Sequence, residues 1–160
     1  MGRVTVMTSL VFVCHGNICR SAMAERVARR MAAERGLRVE VSSFGLSSEE
    51  AGSPIDRRAV AVLRDAGYDT TGHRARRIDP GLVGTADLVI AAEQYQVERL
   101  RRLLPGVHEI RLLNDFNPAL PPGTPLDDPW YGDAAGFRET LADIESAMPG
   151  ILDEVERLGG

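Results

Sequence analysis

The apolar run 10–13 stops at Cys14 and gives way to a tight mixture of small and polar residues, His15-Gly16-Asn17-Ile18-Cys19-Arg20. Such a short, unbroken run bounded by turn formers reads as a buried strand. From Ser21 the rhythm becomes helical: Met23, Val27 and Met31 share one face, Ser21 serves as the cap, and Gly36 closes the helix. Residues 38–43 alternate and are valine-rich, which predicts a second strand. A loop over 45–52 follows. Ser53-Pro54 then reads as a cap and first-turn proline for a helix carrying Val60, Val62 and Leu63 and ending at Gly67. Residues 86–92 predict a third, fully buried strand, 93–104 an amphipathic helix stopped by Pro105-Gly106, and 109–113 a fourth strand. Five of the nine prolines, at 118, 121, 122, 125 and 129, crowd into 114–129, a long loop of the kind that carries function. A last helix from Ala134 aligns Phe137, Leu141, Ile144 and Met148, with a kink expected at Pro149-Gly150.

Strands separated by helices predict an α/β fold with a parallel sheet covered on both faces and right-handed crossovers. Ligands of such sheets sit beyond the C-terminal strand ends, and Cys14 stands just past the end of strand one. A length of 160 residues suits a single domain over 1–160, with residues 1–8 as a loose tail and Met7 as an alternative start. The 44% hydrophobic and 26% charged fractions are those of a soluble globular chain. A net charge of −4 favours neither nucleic acid nor insertion at an anionic membrane, so any attraction for phosphate must be local. No signal peptide or membrane span is expected. The only cysteines, Cys14 and Cys19, are too close to form a disulfide framework, which points to a reduced, cytoplasmic setting.

The stretch from Cys14 to Ser21 carries the chemistry. A strand passing through a tight loop into a helix aims backbone N–H groups and the positive end of the helix dipole at one point, an anion site. The field that holds a phosphate also favours the thiolate form of a cysteine placed there, making Cys14 a nucleophile. Gly16 permits close backbone approach, Asn17 tolerates a left-handed conformation, and Arg20 offers a fork of donors that matches phosphate oxygens. Ser21 can hydrogen-bond the thiolate. A buried, inert Cys14 is the plainer reading, but it leaves the polar residues and Arg20 without a purpose. Zinc on Cys14, His15 and Cys19 would lack a full ligand set, so neither metal nor cofactor is expected.

The string Cys-His-Gly-Asn-Ile-Cys-Arg-Ser resembles the signature loop of the low-molecular-weight protein tyrosine phosphatases. A second family motif, an Asp-Pro-aromatic-aromatic-Gly turn, stands at Asp128-Pro129-Trp130-Tyr131-Gly132. The resemblance spans essentially the whole chain and is nearest to actinobacterial members. It implies a three-layer domain whose four parallel strands take the order 2-1-3-4. It also implies a two-step reaction through a phosphocysteine, with Cys14, Arg20 and Asp128 catalytic and residues 15–20 (His15, Gly16, Asn17, Ile18, Cys19, Arg20) holding phosphate. A phenol ionises near pKa ~10, so its departure needs a proton donor, the role given to Asp128, with Asp127 as the rival. By the same resemblance Ser43 and His73 support Asn17, and Cys19 can form a protective disulfide with Cys14. Trp130 and Tyr131 wall the pocket together with Glu49 and Glu50. The implied partner is a phosphotyrosine-containing protein, with inorganic phosphate as product and inhibitor.

Three features depart from the family pattern. Ala22 replaces a proline, Glu93 replaces an aspartate, and Ser47, Ser48, Glu49 and Glu50 occupy a loop where many members place an aromatic. Arsenate reductases of this fold need further resolving cysteines, and protein arginine phosphatases carry threonine where Ile18 stands. A phosphopeptide-binding module without catalysis would need neither thiol nor acid.

Overall fold

The computed structural model describes residues 7–159. Its sheet is fully parallel, with strands in the order β2-β1-β3-β4: β1 Thr8–Cys14, β2 Val39–Gly45, β3 Leu88–Ala91 and β4 Ile110–Leu112. The helices are α1 Arg20–Arg35, α2 Arg57–Asp65, the single turn α3 Pro80–Val83, α4 Gln94–Leu103 and α5 Ala134–Gly159. The expected architecture and strand order are therefore those observed. Most of the expected tail, residues 1–6, lies outside the described residues. Thr8 does not belong to a tail, since it already pairs with Val39 in the first register position of β1.

Strand alternation sorts the core into two halves. Leu10, Phe12 and Cys14 face α1, α2 and α5 together with Leu88 and Ile90. Val11 and Val13 face the other way, onto Phe44, Val83, Val89, Val97 and Leu100 beside α3 and α4. Sheet pairing on both sides of β1 buries residues 10–14 completely or nearly so. The strand that delivers Cys14 is thus, with β3, one of the two enclosed central strands of the sheet.

Several predicted boundaries shift, for identifiable reasons. Ser21 does not cap α1: the helix begins at Arg20, and the Ser21 hydroxyl turns inward toward Cys14. Gly36 does close α1, in the left-handed conformation. Ser53-Pro54 does not open α2. The cap is Asp56, whose carboxylate accepts from the Arg58 N–H, while Ser53 donates its hydroxyl to Glu50 and Ile55 is buried. Helix α5 runs as one element through Pro149, whose carbonyl accepts from Arg35.

Candidate active site

The loop between β1 and α1 is held against β2 by its backbone. Leu46 N–H donates to the Cys14 carbonyl and Ser47 N–H to that of His15. Gly45, paired with Cys14, must be a glycine, because a Cβ there would lie 2.8 Å from the His15 carbonyl oxygen. The N–H groups of Gly16, Asn17, Ile18 and Cys19 donate to no backbone carbonyl, leaving them as a cradle of donors.

Asn17 fixes the turn. It is the one non-glycine residue with positive φ (61°) among the described residues, and it is fully buried. Its Nδ2 donates to Ser21 Oγ and Ser43 Oγ, both at 2.9 Å, and its Oδ1 accepts from Arg76 N–H at 3.1 Å. A carbonyl only accepts, so His73 Nε2 carries the proton it donates to the Asn17 carbonyl at 2.6 Å. Behind it, Glu25 Oε2 lies 3.9 Å from His73 Nδ1. The network brings together Asn17, Ser21, Ser43 and His73, the residues grouped on the sequence, and adds Glu25 and Arg76.

Cys14 Sγ lies 3.0 Å from Ser21 Oγ and accepts from Ser21 N–H at 3.4 Å, at the start of α1. Arg20 is buried, with Nη1 committed to Glu93 (2.8 Å) and to the Leu126 carbonyl (2.9 Å). Its Nη2 points toward Asp128 Oδ2 at 3.7 Å. Burial opposes the charge on Arg20, but Cys14, Glu93 and Asp128 together outweigh it and hold the guanidinium above its usual range. Cys19 is the opposite case. Burial, with Asp56 next, pushes its thiol far up, so it stays protonated beside Cys14.

A cleft of about 210 Å³ opens over these groups. Cys14, His15, Gly16, Ile18, Cys19 and Arg20 form its floor; Glu49, Glu50, Asp128, Trp130 and Tyr131 form its walls. Asp128 caps a single 3-10 turn, Pro129–Tyr131, by accepting from Trp130 N–H at 3.0 Å, and its neighbour Asp127 does not line the cleft. Tyr131 is 94% exposed at the mouth. Glu49 lies 3.6 Å from His15 Nε2, and the Glu50 stem packs over Gly16.

Sequence reasoning missed two kinds of participant. Glu93 was visible only as a departure from a pattern, yet it braces Arg20 across 73 positions. Asp56 and Arg58 were not singled out on the sequence, yet Asp56 N–H holds the Ile18 carbonyl at 2.9 Å and Arg58 reaches the Trp130 carbonyl.

Comparison with known proteins places this architecture. The model of the low molecular weight phosphotyrosine protein phosphatase family matches residues 9–159. Low molecular weight protein-tyrosine phosphatase A of Mycobacterium tuberculosis is 41% identical over 152 residues, covering 92% of this chain and 91% of the relative. A Streptomyces coelicolor low molecular weight protein-tyrosine-phosphatase is 40% identical, covering 90% and 91%. Among solved structures, a protein tyrosine phosphatase from Entamoeba histolytica superposes with a TM-score of 0.87 at 25% identity, covering 94% of this chain and 97% of that one. Matched by the family model over residues 9–159 and 41% identical to a relative covered over most of its length, the chain belongs to the low molecular weight phosphotyrosine protein phosphatase family.

Proposed function

We propose that the protein hydrolyses phosphotyrosine in proteins through a phosphocysteine intermediate held on Cys14. The observation that carries this reading is the convergence of Cys14, Arg20 and Asp128 on one cleft of about 210 Å³. In the first step the Cys14 thiolate attacks phosphorus in line, the bond to the tyrosine oxygen breaks, and Asp128 gives that oxygen its proton. The free N–H groups of residues 16–19 and the Arg20 guanidinium hold the equatorial oxygens, where charge builds up. In the second step water attacks the phosphocysteine, Asp128 takes a proton from it, and the Cys14 thiolate leaves, stabilised by the Ser21 hydroxyl. Phosphoryl transfer mostly needs positioning and charge stabilisation, which the loop provides.

Inorganic phosphate, as product, fits the same cradle and competes with substrate. Trp130 and Tyr131 flank the phenyl ring. Glu49 and Glu50, in place of an aromatic, select against acidic segments beside the phosphotyrosine. Cys19 traps oxidised Cys14 as a disulfide. We place the enzyme in the cytoplasm, in keeping with two free cysteines and with the lack, among the described residues, of any helix long and apolar enough to cross a membrane. The relatives are named as tyrosine phosphatases, so arsenate reduction, phosphoarginine hydrolysis and a non-catalytic binding role are not favoured.

The test is hydrolysis of p-nitrophenyl phosphate without added metal by wild type, Cys14→Ser and Asp128→Ala. Undiminished turnover by Cys14→Ser would sink the mechanism. Faster hydrolysis of phosphoarginine than of phosphotyrosine peptides would sink the substrate assignment.

A further inference from the structure

The turn bearing Asp128 has little of its own to hold it. Pro129 is buried, but Trp130 is 39% exposed, and the internal bonds are the Asp128 cap and Gly132 N–H to the Pro129 carbonyl at 2.8 Å. Besides Arg20, whose Nη2 faces the Asp128 carboxylate at 3.7 Å, one side chain reaches its backbone from outside. Arg58, in the first turn of α2, donates from Nη1 to the carbonyls of Trp130 (2.9 Å) and Gly132 (3.2 Å), the two that bracket Tyr131. Its guanidinium also lies 5.3 Å from the Trp130 ring centroid and 4.8 Å from that of Phe137. The other edge of the guanidinium is gripped by a fork: Nε to Asp56 Oδ1 and Nη2 to Asp56 Oδ2, both at 3.1 Å. Asp56 in turn donates its backbone N–H to Ile18 in the phosphate loop at 2.9 Å. A continuous line of hydrogen bonds therefore runs from the floor of the cleft, through Asp56 and Arg58, to the turn that forms its wall.

We propose that Arg58 is a positioning residue for the general acid, a strap that sets where Asp128 stands relative to the phosphate loop. Trp130 N–H orients the Asp128 carboxylate, and the Trp130 carbonyl is the atom Arg58 holds, so fixing that residue from one side aims the acid from the other. Two carbonyls and one carboxylate are met at once by a planar, five-donor group, which a lysine ammonium cannot reproduce. Arg58 does not line the cleft; it acts through Asp128. This inference rests on the reading of Asp128 as the acid.

The test uses kcat/KM, which reports formation of the phosphocysteine, for aryl phosphates whose phenols range from phenol to dinitrophenol. Variants are Arg58→Ala, Arg58→Lys, Asp128→Ala and the double variant Arg58→Ala with Asp128→Ala. Arg58→Ala is expected to lose roughly ten- to hundredfold on phenyl phosphate, within the span that general acid catalysis contributes, and to stay within about threefold of wild type on the dinitrophenyl ester. In the Asp128→Ala background the same substitution is expected to cost less than about threefold on phenyl phosphate, because the two residues act as a unit. Arg58→Lys should resemble Arg58→Ala. Trp130 is the only tryptophan in the chain, so its emission reports on the strapped turn directly. Arg58→Ala should leave it more open to acrylamide quenching while far-UV circular dichroism stays native; if Arg58→Ala does not fold, Arg58→Lys carries the same measurements. Equal losses across the leaving-group series, a full loss retained in the Asp128→Ala background, or unchanged Trp130 quenching would each overturn the strap. Absence of leaving-group dependence in Asp128→Ala itself would overturn the acid reading, and the positioning role of Arg58 with it.

Discussion

Replacing Asn17 with alanine separates two costs that the native residue avoids together. The first is the loss of three hydrogen bonds, from Nδ2 to Ser21 and Ser43 and from Arg76 N–H to Oδ1. At about 0.5–1.5 kcal/mol each, they amount to about 1.5–4.5 kcal/mol of stability, with Ser43 Oγ and the Arg76 N–H deprived of their Asn17 partner. The second cost is conformational: at φ 61° a Cβ without a compensating side-chain bond adds about 1 kcal/mol. Asn17→Gly removes the first contribution and spares the second. Urea unfolding followed by far-UV circular dichroism should therefore place Asn17→Ala about 2.5–5.5 kcal/mol below wild type and Asn17→Gly about 1 kcal/mol above Asn17→Ala. Both variants should lose turnover beyond what stability explains, roughly a hundredfold, because the loop and the Ser21 hydroxyl are no longer locked beside Cys14. An Asn17→Gly protein with wild-type midpoint and wild-type kcat would mean that the side chain holds nothing. Equal stabilities for the two variants would remove the backbone contribution.

Glu93→Ala takes the brace from a buried guanidinium and should lower kcat/KM roughly 10- to 100-fold, the worth of a charge-assisted hydrogen bond of about 1.5–3 kcal/mol. Glu93→Asp should recover part of this, and an unaltered kcat/KM in Glu93→Ala would show that the Leu126 carbonyl alone suffices. For Asp56, burial works against the carboxylate but the hydrogen bonds from Arg58 outweigh it, so its folded pKa lies below the usual carboxylate value. The folded state then binds fewer protons than the unfolded one. The stability advantage of wild type over Asp56→Asn should be constant above about pH 4 and shrink as pH falls through the lower folded pKa, read as urea midpoints between pH 3 and 6. An advantage that grows on acidification would contradict this sign. After peroxide inactivation, thiol should restore wild type better than Cys19→Ser, and the difference should widen as pH rises because burial keeps the Cys19 thiol protonated at neutral pH. Equal recovery in the two proteins would dismiss the protective disulfide.

What could be read from the sequence was local. Cys14 to Ser21 and Asp128 to Gly132 are short strings whose residue types only make sense together, and the sheet around them follows from apolar runs alternating with helical faces. Boundaries failed where two good local signals competed. Ser53-Pro54 and Asp56 both resemble helix starts, and burial of Ile55 between them decides for Asp56. The turn α3 has too few residues for any periodicity to register. Partners of the site were hidden because nothing in a string announces a contact such as Arg20 to the Leu126 carbonyl, 106 positions away. Glu25 sits within α1 among ordinary helix formers, and only the fold places it behind His73.

The burial of β1 has a kinetic consequence. Its amides at Val11 to Val13 lie between two paired strands and beneath helices on both faces, so they should exchange with solvent only when the whole domain opens. The turn at 128–132 carries few bonds and two exposed aromatic rings, so its amides should exchange through small local openings. The proposed nucleophile and the proposed acid thus belong to opposite ends of the molecule's hierarchy of local stability. Phosphate in the cradle should slow exchange in the turn while leaving β1, already at the global limit, unchanged. The enzyme is in this sense half anvil and half hammer: the thiol stands on one of the last elements to come apart, and the proposed proton donor on one of the first to move.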